Sequence, residues 1–180
     1  MAKNSLDPLV LIKSENEKVF QQGLALLEEK GNLSHLPGLV ECYLLESPGI
    51  KRTALYSFLA SITKKGIREA WMGLLNQTND VEYKRQIMNI MWNSRLDFSP
   101  YLVDFVVWSK EGDYQNTLEC LTLIEHMEGP FSEEQLLEAQ CIAQAHVSSM
   151  NSESEQKQTL LSELLKVLEQ LPSSEDLFLD

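Results

Sequence analysis

Placing Trp71, Phe105 and Ala139 in register aligns the chain with itself at a step of 34 residues, taken twice. Leu74, Trp108 and Ile142 then coincide, as do Leu75, Ser109 and Ala143. A step of this length is one helical hairpin, and such a unit cannot bury its apolar faces alone, so copies must stack. The segments preceding these positions align at a different step, 31 residues, which pairs Tyr83 with Tyr114, Ile87 with Leu118 and Ile90 with Leu121.

The spacing within each copy is helical. Tyr83, Ile87, Ile90 and Met91 make one stripe of an amphipathic helix. The run Tyr101–Trp108 carries a single polar residue, Asp104, and predicts a helix covered on more than one side. Trp108 belongs to the core. Helix starts are marked by Asp7-Pro8, Pro37, Ser47-Pro48, Asp80, Ser99-Pro100 and Asp113, and stops by Gly31, Gly66, Gly112 and Gly129-Pro130. Ser14 with Glu17, Ser132 with Gln135 and Ser152 with Glu155 have the spacing of capping boxes. No stretch alternates at period two for long enough to make a strand. These signals predict one domain over residues 1–171, followed by an acidic tail over 172–180.

The segments Lys51–Leu59 and Asp80–Met88 resemble the first helix of HEAT-like repeats, with a basic residue ahead of an aliphatic run. The resemblance spans roughly residues 14 to 150; the copy opening at Asp113 departs from it, with Asn116 where the basic residue is expected. It implies an all-α fold, an antiparallel helix-hairpin α-solenoid of about four HEAT-like repeats with capping helices at both ends. It also implies a scaffold or adaptor that binds partners on a concave surface lined by the second helix of each hairpin. In the 34-residue register those second helices offer three columns: Arg68, Leu102 and Leu136; Glu69, Val103 and Leu137; Met72, Val106 and Gln140. The expected partner site is accordingly Arg68, Met72, Leu102, Val103, Val106, Leu136 and Gln140. Asp104 and Glu138 share a further column, a surface edge in preference to a small acidic patch for a basic ligand.

Charge narrows the partner. A net charge of −12 disfavours phosphate backbones and anionic lipid; it reads first as acidity that keeps the protein soluble and leaves room for a basic protein or peptide. Two other readings stay open: an immunity-type inhibitor that neutralises a basic enzyme, and a DNA repair or modification enzyme on the same scaffold. The second would need a basic cleft, and the notable basic cluster is Lys51, Arg52, Lys64, Lys65 and Arg68.

No chemistry-bearing pattern emerges from the remaining residues. Cys120 with His126, and Cys141 with His146, are six and five residues apart and do not share a helix face, so no metal site is expected. Nucleophile elbows, zincin motifs and phosphate loops are missing from the sequence, and no cofactor or enzymatic activity is expected. Three cysteines set in apolar helices read as reduced thiols, and together with the absence of a signal peptide or membrane-length apolar run they predict a cytoplasmic protein, a monomer or weak homo-oligomer. Asp176-Leu177-Phe178 in the tail partly resembles the segment by which bacterial proteins engage the sliding clamp, without that motif's leading glutamine and first leucine.

Overall fold

The computed structural model describes residues 7–149 and 153–174. The chain is all-α. Among the described residues ten α-helices follow one another: α1 (Pro8–Ile12), α2 (Glu17–Lys30), α3 (Leu36–Leu45), α4 (Ile50–Ala60), α5 (Ile67–Asn76), α6 (Val81–Asn93), α7 (Leu102–Trp108), α8 (Tyr114–Glu125), α9 (Glu133–Ser148) and α10 (Glu155–Gln170). Short 3-10 turns at Leu33–His35 and Ser99–Tyr101 lead into α3 and α7. Among the described residues there is no strand, only an isolated bridge between Phe131 and Ser173. The tail residues 175–180, with Asp176-Leu177-Phe178, and Ser152 of the third expected capping box lie outside the described residues.

Side-chain oxygens set most helix starts. Asp7 accepts from the Leu9 N–H with Pro8 opening α1, Asp80 accepts from the Tyr83 N–H, and Asp113 accepts from the Gln115 and Asn116 N–H groups. Elsewhere the start moves. Asn16, not Ser14, caps α2 through the Lys18 and Val19 N–H groups, and Ser14 accepts from the Asn16 N–H instead. Ser47-Pro48 does not open α4; the chain makes a corner through Gly49 and the helix begins at Ile50. Ser132 caps α9 as expected, but the Gln135 side chain does not close the box, because its amide donates to the Ser99 carbonyl, 2.7 Å away. Ser154 caps α10.

The helices gather into two compact units that divide between Gln77 and Thr78. In the first unit α1 packs on α2 and α3, and α3 on α4. Its core is Phe20, Leu27, Leu36, Leu39, Val40, Leu55, Leu59, Trp71 and Leu75.

The second unit has two layers. Helix α8 packs against both α6 and α10, while α7 packs against α9; α7 also meets α8, and α9 meets α10. The burial pattern explains the arrangement. Lys84, Ile87, Met88, Ile90 and Met91 of α6 are buried, and so are Thr117, Cys120, Leu121, Leu123 and Ile124 of α8. Each member of the second set follows its counterpart by 33 residues. The expected pairing at 31 therefore fails, and Leu118, which it matched to buried Ile87, is 43% exposed. The step of 34 fares differently. Trp71, Phe105 and Ala139 are all fully buried, as are Leu75, Ser109 and Ala143.

Lysines tie the corners of both units, half-buried Lys51 in the first and buried Lys84 and Lys157 in the second. In the first, Lys51 of α4 donates to the Ser14 carbonyl, 2.9 Å away, and pairs with Glu15. In the second, Lys84 reaches Glu111 at 2.9 Å and lies over the Trp108 ring. Lys157 pairs with Glu153 and donates to the carbonyls of Lys110 and Gly112. Asn116, which stands where the resemblance expects a basic residue, has its amide donating to the carbonyls of Trp108 and Glu111.

Candidate functional site

Helices α7 and α9 lie side by side, and the 34-residue step fixes their register. Asp104 sits close enough to Glu138 for the two carboxylates to repel. Burial in a half-exposed position raises the pKa of Asp104, its own backbone hydrogen bond lowers it, and the negative charge of Glu138 raises it further. Neither carboxylate forms an ion pair among the described residues.

In the same 34-residue alignment Leu137 corresponds to Val103 and Cys141 to Val107. Val107 is 42% exposed and Leu137 61%. Cys141 and Ala145 are exposed as well, and Val103 is half-buried. Val103 and Val107 are spaced i, i+4 on α7; Leu137, Cys141 and Ala145 are spaced i, i+4 on α9, so each set shares a helix face. The outer face of these packed helices thus carries an apolar strip with Asp104 and Glu138 along it, and exposed Glu134 one turn before Glu138.

The residues expected to meet a partner are placed differently. Leu102 and Val106 are wholly buried, Met72 is 3% exposed and Leu136 6%, so these four pack into the core of their units. The reason is rotation about the helix axis. The 3-10 turn at 99–101 leads into α7 with Leu102, Phe105 and Val106 turned inward. Their neighbours Val103 and Val107, one position along, are left toward solvent. Gln140 is half-buried and its amide donates to the Leu168 carbonyl at the end of α10, 3.0 Å away. Val103 alone of the expected set borders the strip. Arg68 is half-buried and belongs with Met72 to the first unit. Val107, Leu137 and Cys141 were missing from the expected site, although their i, i+4 spacing was there to read.

A second exposed apolar place is the α3–α4 corner of the first unit. Leu45 and Ile50 are each 78% exposed, and Arg52 covers the Tyr43 ring at 4.4 Å while donating to the Glu46 carbonyl. Three residues of the basic cluster are engaged within the unit: Lys51 with Ser14 and Glu15, Arg52 with Glu46, and Lys64 with the Gly31 carbonyl.

The thiols and histidines do not converge. Cys120 is buried with its sulfur 3.7 Å from that of Met88, and burial pushes its pKa up; burial does the same for Cys42. His126 is exposed against Trp92, and its Nδ1 lies 2.7 Å from the Thr122 carbonyl. His146 is buried with Nδ1 unpartnered, and its pKa is lowered first by burial and then by the charges of Lys110 and Lys157. Among the described residues no three His, Cys, Asp or Glu side chains gather as a metal site, and no helix is long and apolar enough to cross a membrane. No family model, curated protein or solved structure matches this chain.

Proposed function

We propose that the chain is a non-catalytic protein-interaction module of the HEAT-like, helix-hairpin solenoid kind, acting as an adaptor or scaffold. The exposed apolar strip Val103–Val107–Leu137–Cys141–Ala145 is the observation that carries this reading. Apolar side chains scattered singly on a surface need no explanation, but a row of them across two packed helices is the usual mark of a protein contact. On the solenoid reading α7 and α9 are the second helices of successive hairpins, and solenoid proteins bind partners along extended surfaces of this kind. The layered packing of α6, α8 and α10 against α7 and α9, with burial repeating at 33 and 34 residues, supports the solenoid reading. The strip is built on helices, so little rearrangement need accompany binding.

Affinity purification from the native cell tests this, with mass spectrometry of what co-elutes. Wild type is compared with a Val107→Glu, Leu137→Glu double variant and with a Leu45→Ser, Ile50→Ser control, all checked for folding by circular dichroism. The module reading expects a protein retained by wild type and by the corner control and lost from the strip variant. A partner held equally by all three overturns the assignment to this face.

A further inference from the structure

We propose that the segment docking on this strip is a cationic amphipathic helix, its apolar side chains laid along Val103, Val107, Leu137 and Cys141 and its lysine or arginine side chains meeting Asp104 and Glu138. The inference rests on the interaction-module reading and names the chemistry of the partner at that same face.

Three observations lead to it. The two carboxylates are neighbours on adjacent helices, they repel each other, and no cation of the described chain comes to either. Four carboxylates of this unit have cations, Glu111 with Lys84, Glu153 with Lys157, Glu82 with Arg85 and Glu163 with Lys166; Asp104 differs from the unpaired ones in being half-buried beside a second carboxylate. A partner cation would offset both the repulsion and the cost of holding Asp104 ionised in a partly buried place.

Dimension is the second observation. From Leu137 to Ala145 the strip follows α9 for eight residues, roughly 12 Å at the rise of an α-helix. That is the length over which a partner helix presents apolar residues at i, i+4 and i+8. Charge is the third. A second copy of this chain is a poor occupant, because two chains of net charge −12 would bring like-charged edges together, whereas a basic segment is drawn in by the field of the whole protein.

The test uses three synthetic 14-residue helical peptides with one leucine face and lysine, glutamine or glutamate on the other. Binding to the full chain is followed by amide chemical shifts and by titration at two salt concentrations. The lysine peptide is expected to shift α7 and α9 amides and to bind at least about tenfold more tightly than the glutamine peptide, the margin being lost at high salt. Asp104→Asn with Glu138→Gln should abolish that margin while leaving glutamine-peptide binding unchanged. Val107→Ser with Leu137→Ser should weaken both peptides, and Leu45→Ser with Ile50→Ser neither.

Equal binding of all three peptides on the strip overturns the cationic partner and leaves the interaction module standing. Lysine-peptide shifts confined to other helices, unmoved by the strip variants, overturn both. Concentration-dependent self-association abolished by Val107→Ser with Leu137→Ser makes a second copy the occupant and overturns the cationic helix.

Discussion

Lys157 of α10 donates its ammonium to the carbonyl of Gly112, 2.8 Å away and 45 residues earlier in the chain. The lysine is only 2% exposed. A second bond at 2.7 Å to the Lys110 carbonyl and the Glu153 carboxylate complete its shell. Gly112 takes a positive φ of 65° there, a conformation that turns the chain from α7 into α8 at little steric cost only for glycine. The corner between those helices is thus held by a residue of the next hairpin, and Lys51 holds the α1–α2 corner of the first unit through Ser14 in the same manner.

Replacing Lys157 with methionine keeps most of the volume and removes the donors. The two carbonyls lose their partner, and the expected cost is about 1–3 kcal/mol. The urea midpoint measures it. A midpoint that rises instead would show that burying the ammonium costs more than its bonds return.

Trp108 is 6% exposed, meets the Phe105 ring edge-on at 5.5 Å and lies beneath the Lys84 ammonium at 4.7 Å. Trp108→Ala leaves a cavity and deprives Lys84 of the ring, so we expect a loss of about 3–5 kcal/mol. An unchanged urea midpoint would contradict the packing of α7.

Adjacent positions of α7 should respond in opposite ways. Leu102→Ala empties a fully buried site and should cost about 2–5 kcal/mol. Val107→Ser changes a side chain that is 42% exposed and should stay within about 1 kcal/mol of wild type. Thermal melts of the two variants measured side by side separate the faces. Equal losses would mean that Val107 is covered.

That contrast marks how far the sequence could be read. The helical class, the caps at Asp7, Asp80 and Asp113 and the pairing of Asp104 with Glu138 were legible, because capping chemistry and a repeat step are local and periodic. Which side of α7 faces inward was not. Its run is apolar at every position but Asp104, so periodicity carries no phase. The inward choice of Leu102 over Val103 is set by the entry turn at Ser99–Tyr101 and by packing on α8 and α9. The first-helix register went astray for a related reason. Tyr83 and Tyr114 match as letters, yet burial follows Ile87 to Cys120, and a cysteine does not stand out as the equivalent of an isoleucine. The role of Asn116 was hidden as well, since an amide donating to two carbonyls does there what a lysine does at Lys157.

Acid should weaken the fold through His146. Its pKa in the folded protein is below the ordinary value of 6.5, because burial and the charges of Lys110 and Lys157 disfavour the imidazolium. The unfolded chain therefore binds the proton first. The contribution of neutral His146 is fully present above about pH 6.5 and is lost as the pH falls toward its folded-state value, with a slope of at most roughly 1.4 kcal/mol per pH unit for one proton. Asp104 and Glu119 act with the opposite sign. Burial is the main cause raising both, so their ionised forms weigh against the fold at neutral pH and their protonation on acidification relieves that cost. Unfolding midpoints taken from pH 7.5 to 5.5 should fall for wild type and stay nearly level for His146→Leu, which removes the titrating group and the unpartnered Nδ1 together. A variant whose midpoints fall as steeply as wild type would place the acid sensitivity on another group.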